Sequence, residues 1–226
     1  MDDTMPMPRT PEPELMDAPE QVAAYARADF SASNQWFVDD LLTRYTPRPD
    51  AGTLVDLGCG PGDILIRLAR SLPGWHIIGL DAGSNMLDEA RRAITTAGLA
   101  ESITLKLSQL PETGLEPGTF DCVVSNSLLH HLPDPMILWD TIGHLAAPGA
   151  WVHVMDLDRP ASAERVEELL SLHAADAPEV LRTDFRNSLH AAWRAEEVQQ
   201  QLRRAGLALG CRRVSDRHWL VSGRIG

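Results

Sequence analysis

The sequence predicts an α/β fold: a Rossmann-like, doubly wound, mostly parallel seven-stranded sheet with an antiparallel last strand. Three observations predict it. Apolar runs alternate with amphipathic segments from Thr53 to Met155. Three glycines at alternate positions, Gly58, Gly60 and Gly62, stand between the first apolar run and the first of those segments, the pattern of strand, tight loop and helix. Near the end, Leu207 to Val214 and His218 to Val221 flank a turn at Ser215-Asp216-Arg217, which makes an antiparallel pair.

Each element has its own warrant. Residues 1–19, rich in proline and acids, read as a flexible tail carrying no chemistry, and residues 20–226 as one domain. A short helix is expected from Glu20 to Ala28. A second is capped by Ser31 or Ser33, carries Trp36, Phe37, Val38, Leu41, Leu42 and Tyr45, and ends in Thr46-Pro47-Arg48-Pro49-Asp50. Together residues 20–46 form an N-terminal helical lid. The first strand ends at Asp56, and Ile64, Leu65, Leu68, Ala69 and Leu72 mark the buried stripe of the following helix. A second strand, Trp75 to Leu80, ends in Asp81; Ser84 or Asn85 caps the helix Met86 to Ala97, which closes at Gly98. Ile103 to Leu107 and Phe120 to Val124 are the next strands, the latter nearly all apolar as suits a strand covered on both faces. A helix from about Pro135 to Ala146 stops at Pro148-Gly149, before a fifth strand from Trp151 to Met155. Residues 159–194 form a helical insertion on the substrate side, with Ser162 capping a helix to His173 and a second helical stretch from Ala177 to Trp193; a last helix runs from Ala195 to Ala205.

Composition narrows the chemistry. The 226 residues suit one domain with a substantial core, and a formal charge of −12 repels a phosphate backbone, so no nucleic-acid partner is expected. Cys59, Cys122 and Cys211 are scattered and odd in number, which disfavours disulfides and zinc and points to a reducing, cytoplasmic setting. No signal peptide or membrane-spanning run is read, and a monomer or homodimer is expected.

The loop from Thr53 to Asp63 decides the ligand class. Carboxylates flank its glycines at Asp56 and Asp63, no basic residue lies between them, and the spacing is Gly-x-Gly-x-Gly, where dinucleotide loops have Gly-x-Gly-x-x-Gly. S-adenosylmethionine lacks phosphate and carries a sulfonium and an ammonium, which such carboxylates attract. Val55 to Gly62 resembles the first motif of the class I S-adenosylmethionine-dependent methyltransferases. The resemblance covers Thr53 to about Asp158 strongly and Ala195 to Gly223 loosely. It implies that Gly58, Cys59, Gly60 and Gly62 line the methionine and ribose portion, Asp56 lies near the ammonium, Asp81 holds the ribose, and Ala82 and Met86 pack on adenine. The acid that many relatives place after the third strand is missing here, so Ser108 or Gln109 is the expected adenine contact. S-adenosylhomocysteine would be the product.

A second stretch, Asp121 to Asp134, resembles the fourth-strand motif of small-molecule methyltransferases of the ubiquinone/menaquinone and trans-aconitate type. It implies Ser125 and Asn126 beside the reactive methyl group. Asn126-Ser127-Leu128-Leu129 stands where amino-directed enzymes have Asn-Pro-Pro-aromatic, which argues against base or glutamine methylation. His131 with Tyr25 resembles the pair used by phosphoethanolamine-directed relatives, with imidazole accepting a proton; a helix-entrance histidine that merely packs is the alternative. Two adjacent histidines do not readily ligate one metal from one helix face, so no metal is expected. Phe30, Asn34, Trp36, His130, Arg159, Arg186 and Trp193 are the candidate contacts to a small-molecule acceptor, the two arginines as grips for an anionic group. The expected reaction is methyl transfer to oxygen, nitrogen or sulfur of a small metabolite. A protein or RNA methyltransferase and a non-catalytic cofactor-binding regulatory subunit are the alternatives.

Overall fold

The computed structural model describes residues 7–12 and 16–226. Its sheet comprises β1 (Gly52–Leu57), β2 (Trp75–Asp81), β3 (Ile103–Leu107), β4 (Phe120–Asn126), β5 (Ala146–Leu157), β6 (Gly210–Arg213) and β7 (His218–Arg224). The strands run in the order β3-β2-β1-β4-β5-β7-β6, and β7 is antiparallel to both of its neighbours while the remaining pairs are parallel. This is the class I methyltransferase fold. Among the described residues eight α-helices accompany the sheet: α1 (Pro19–Arg27), α2 (Ser31–Arg44), α3 (Asp63–Ser71), α4 (Ser84–Ala97), α5 (Met136–Leu145), α6 (Ala163–His173), α7 (Glu179–Ala191) and α8 (Ala195–Arg204).

Two apolar layers hold helices to sheet. Phe37, Val38 and Leu41 of α2, Leu65 and Leu68 of α3, and Leu87, Ala90 and Ile94 of α4 pack in one layer; Leu138, Trp139 and Ile142 of α5 with Val198 and Leu202 of α8 pack in the other. Covered on both faces, β1 and β4 require apolar residues throughout, and Leu54, Val55, Cys122, Val123 and Val124 are fully buried. A third cluster, Leu157, Val166, Leu169, Leu170 and Leu189, joins α6 and α7 to the end of β5. Strand order reverses between β1 and β4. Their carboxyl ends therefore part and leave the crevice in which open α/β sheets bind ligands.

Besides α2, whose N-cap is Phe30 so that neither Ser31 nor Ser33 caps it, local chemistry departs from expectation at three places. First, α4 has Gly83 as its N-cap, and neither Ser84 nor Asn85 caps it: the Asp17 carboxylate accepts from the amides of Asn85 (2.9 Å) and Met86 (3.3 Å). A capping side chain from outside the helix leaves no mark in the helix's own sequence. Second, α5 passes directly into β5 at Ala146, so Pro148-Gly149 lies within the strand's first residues and does not stop the helix. Ser162, by contrast, caps α6 by accepting from the Arg165 amide.

Third, the expected tail is bonded down where it is described. Met7 donates its amide to the Ala161 carbonyl and Thr10 to that of His190. The Arg9 guanidinium donates to the carbonyls of Ala191 (2.6 Å), His130 (3.0 Å) and Leu132 (3.3 Å) while lying 4.2 Å from the centre of the Trp193 ring. Three carbonyls at loop and helix ends thus gain a donor, and the planar cation gains a ring to stack on. The rest of that stretch, residues 1–6 and 13–15, lies outside the described residues.

The Asp17 cap has a measurable consequence. Asp17→Ala is expected to lower the free energy of unfolding by about 1 kcal/mol in denaturant titrations, whereas Asp17→Asn retains most of it, because the amide oxygen can accept the same bonds.

Candidate active site

Asp81 fixes the glycine loop. Its two carboxylate oxygens accept from the amides of Gly60 and Gly83, each at 2.8 Å. The amides of Gly58 (2.8 Å) and Cys59 (2.9 Å) both donate to the Leu80 carbonyl, and that of Gly62 to Cys59. Pro61 has no amide hydrogen. Every N–H from Gly58 to Gly62 is therefore used within the protein, and the loop offers none of the convergent free amides that a diphosphate needs.

Left-handed backbone explains the glycines individually. At Gly58 (φ +76°) a Cβ would meet Leu128 at 2.9 Å, and at Gly60 (φ +52°) it would project into open space. Gly62 serves packing: a Cβ there would press on Ala90 of α4 at 3.1 Å, and this residue does not line the cleft. That corrects its expected ligand role.

Two cavities, about 230 and 760 Å³, share a wall made by Tyr25, Phe30, Asn34, Gly58, Gly60 and Asn126. The smaller adjoins Asp56 and Cys59; the larger adjoins Asp81, Ala82, Met86, Ser108, Gln109, His130 and His131. The Asp56 carboxylate is buried, accepts no hydrogen bond among the described residues, and has its pKa raised to about 7 by desolvation and then by Asp81. Such a group calls for a cation. Asp81 is also raised by burial, an effect opposed by its two backbone donors. At the end of β4 the Asn126 Oδ1 is buried without a partner among the described residues, and the next residue, Ser127, has φ +58°, a strained position for a non-glycine residue. Unpaired Asp56 and Asn126, with the open side of Gly60 between the two cavities, fit a cofactor that carries an ammonium and no phosphate.

Two histidine–carboxylate pairs occupy the far side. His130 and His131 lie in the 3₁₀ turn Leu129–His131, with ring centres 4.0 Å apart. His130 Nδ1 is 2.6 Å from Asp156 Oδ1; His131 Nδ1 is 3.0 Å from Glu12 Oε2. Desolvation alone would lower the pKa of His130, yet Asp156 and Glu12 carry it upward; desolvation and the neighbouring His130 push His131 down. Tyr25 is raised to about 12 by burial, Asp156 and Asp81, and so stays protonated.

Several expected contacts are elsewhere. The Ser125 hydroxyl is fully buried and donates to the Leu57 carbonyl at 2.8 Å, joining β4 to β1 behind the cleft. Trp36 lies on the outer face of α2, 39 % exposed. Arg159 is buried and saturated by Glu197 and by the carbonyls of Met7 and Ala192. Arg186 forms a bidentate pair with Glu167, and Trp193 stacks under Arg9. Neither arginine is free to grip an anion, because a local carboxylate or backbone carbonyls already satisfy each fork.

Sequence reasoning misses Asp156, Glu12 and Asp184, the last of which lines the larger cavity from α7. Asp156 ends an apolar strand in an acid, the signal that marks Asp56 and Asp81; Glu12 and Asp184 leave no comparable sign.

The methyltransferase domain family matches residues 55–152, the segment that contains the glycine loop, Asp81 and the β4 end. The chain is an S-adenosylmethionine-dependent methyltransferase with the class I fold. It is 28% identical over 154 residues to an uncharacterized methyltransferase of Mycobacterium tuberculosis, covering 66% of this chain and 73% of that protein. With the trans-aconitate 2-methyltransferase of Variovorax paradoxus it shares 31% identity over 140 residues, 62% of this chain and 50% of the relative. Its fold superposes on that of an S-adenosylmethionine-dependent methyltransferase from Aquifex aeolicus with a TM-score of 0.71 at 18% identity, over 92% and 99% of the two chains. Among the described residues no helix is long and apolar enough to cross a membrane.

The Asp56 environment predicts a pH dependence with a definite sign. Because its folded pKa is raised, the ligand-free protein loses stability as pH climbs from the ordinary carboxylate range through about 7. Binding of S-adenosylhomocysteine, whose ammonium needs the ionised carboxylate, is expected to tighten over the same upper interval, between about pH 6 and 8. Calorimetric titration checks both parts: Asp56→Asn weakens binding about 10- to 100-fold at pH 8 and flattens the profile.

Proposed function

We propose that this methyltransferase methylates a small molecule held in the larger cavity, at an oxygen, nitrogen or sulfur atom. The observation that carries the proposal is that cavity itself: about 760 Å³, continuous with the cofactor-side wall and lined by residues of α1 and α7, it has the size and mixed lining of a small-molecule chamber. Leu110, Leu128, Leu132, Ile137, Leu181 and Phe185 supply apolar walls, and Tyr25, His130, His131 and Asp184 supply the polar groups. The trans-aconitate relative supports the reading by its named acceptor, a small molecule.

When bound, S-adenosylmethionine supplies a methyl group already activated on a sulfonium, so the protein's task is alignment and exclusion of water. Asp56 would pair with the cofactor's ammonium, Asp81 would accept from ribose hydroxyls, and Ala82, Met86, Ser108 and Gln109 would surround the base. Tyr25, protonated throughout the physiological range, would donate to the acceptor from one side while Phe30 packs against its ring at 4.7 Å between centroids. His131 would stand on the other, its Nδ1 proton held by Glu12. A protonated acceptor has somewhere to release its proton, since two imidazoles line the cavity and Asp156 and Glu12 back them.

Transfer of label from methyl-labelled S-adenosylmethionine into a metabolite extract tests the reading: label is expected in small molecules. Label confined to macromolecules, or tight cofactor binding with no transfer, contradicts it. Once an acceptor is in hand, His131→Ala is expected to lower kcat/KM about 100-fold while the affinity for S-adenosylhomocysteine stays unchanged.

A further inference from the structure

The Glu12 side chain meets those of His130 and His131, which line the acceptor chamber, with one donor atom from each within 4.8 Å of the other two. Glu12 Oε2 lies 3.0 Å from His131 Nδ1 and 3.9 Å from His130 Nε2. Two protein ligands on one transition-metal ion at about 2.1 Å stand roughly 3 to 3.5 Å apart, so a modest inward movement of His130 and Glu12 brings the set to coordination distance. The adjacency of the two histidines, which from sequence alone disfavours a metal, is no obstacle here. In the 3₁₀ turn the rings face one another and the third ligand arrives from a distant segment.

The partners behind these ligands are those of a metal centre. His130 turns Nδ1 to Asp156 at 2.6 Å, the carboxylate–histidine arrangement that orients an imidazole and directs Nε2 outward as the ligand. That Nε2 belongs to a side chain only 3% exposed, has no hydrogen-bond partner among the described residues, and lies on the chamber. Glu12 is held in turn by the Ser188 hydroxyl, at 3.1 Å from Oε1. The segment that delivers Glu12 is itself fastened by Arg9 to the carbonyls of His130 and Leu132, on either side of His131.

We propose that Glu12, His130 and His131 form a binding site for a divalent transition-metal ion, a two-histidine, one-carboxylate centre whose remaining coordination positions open into the chamber. The nitrogen-rich donor set suits zinc, cobalt or iron(II) and disfavours magnesium and calcium. The ion takes the place of the proton between His131 Nδ1 and Glu12, that proton moves to His131 Nε2 so that the imidazole stays neutral, and the ion locks the N-terminal segment over the chamber. Binding of the ion does not depend on the methyl-transfer reading; only its closeness to the acceptor rests on that reading.

Calorimetric titration of chelator-treated full-length protein with CoCl₂ and ZnCl₂, alongside the cobalt visible spectrum, tests the site. One equivalent per chain is expected, with ligand-field bands of a nitrogen–oxygen environment. Glu12→Gln and His131→Ala should each weaken binding at least about 100-fold, with S-adenosylhomocysteine binding retained as proof of fold, while His76→Ala and His144→Ala, both at exposed positions, leave it unchanged. Substoichiometric uptake by the wild-type protein, equal uptake by Glu12→Gln, or loss in the His76 or His144 variants overturns the proposal. A failure of methyl transfer with stoichiometric cobalt binding would count against the acceptor reading and leave the metal site standing.

Discussion

The Asp81 carboxylate, bonded at once to the amides of Gly60 and Gly83, is the constraint on which the cofactor side depends. It joins the loop after β1 to the loop after β2. With Gly58 and Cys59 also tied to the Leu80 carbonyl, the glycine loop is set by β2 and needs no ligand to order it. Each oxygen of Asp81 keeps a lone pair for a hydroxyl. The same bonds that shape the loop consume its amides, which is why the site reads cations through carboxylates and has no anion nest. Asp56, buried and without a donor among the described residues, is left as the strongest call for a positive group in the cleft.

The acceptor side depends on a segment that comes first in the chain and is placed last in space. Arg9 closes three carbonyls, Glu12 reaches His131, and Asp17 caps α4 beside the Asp81 loop. One stretch therefore touches both halves of the site. A site assembled from β4, β5, α7 and this segment buries His130 and Asp156 at the sheet end, and that burial strengthens the charge interaction between them.

How far the sequence discloses this varies with the physics of each feature. Strand and helix positions are legible because burial on a sheet face leaves a periodic mark, as in Ile64, Leu65 and Leu68. Asp56, Asp81 and the alternating glycines are legible because an acid ending an apolar run and a backbone in the left-handed region are local requirements. Asp156 obeys the same rule and is open to the same inference. Arg159 and Arg186 show the limit: an arginine's fork binds whichever acceptor is nearest, and Glu197 and Glu167 reach them through tertiary contacts that no spacing encodes. Glu12 lies beyond reach for the same reason, since a glutamate in a proline-rich stretch gains meaning only from where the stretch is laid down.

Competition at the cofactor pocket tests most directly whether carboxylates, and not loop amides, select the ligand. If they do, S-adenosylhomocysteine should bind one to one and be displaced by sinefungin, which keeps the adenosine and the amino acid, but not by NADH or ADP at roughly a hundredfold excess. Displacement by either diphosphate at a concentration comparable to that of S-adenosylhomocysteine would mean that the loop opens its amides to an anion, and would contradict selection by Asp56 and Asp81.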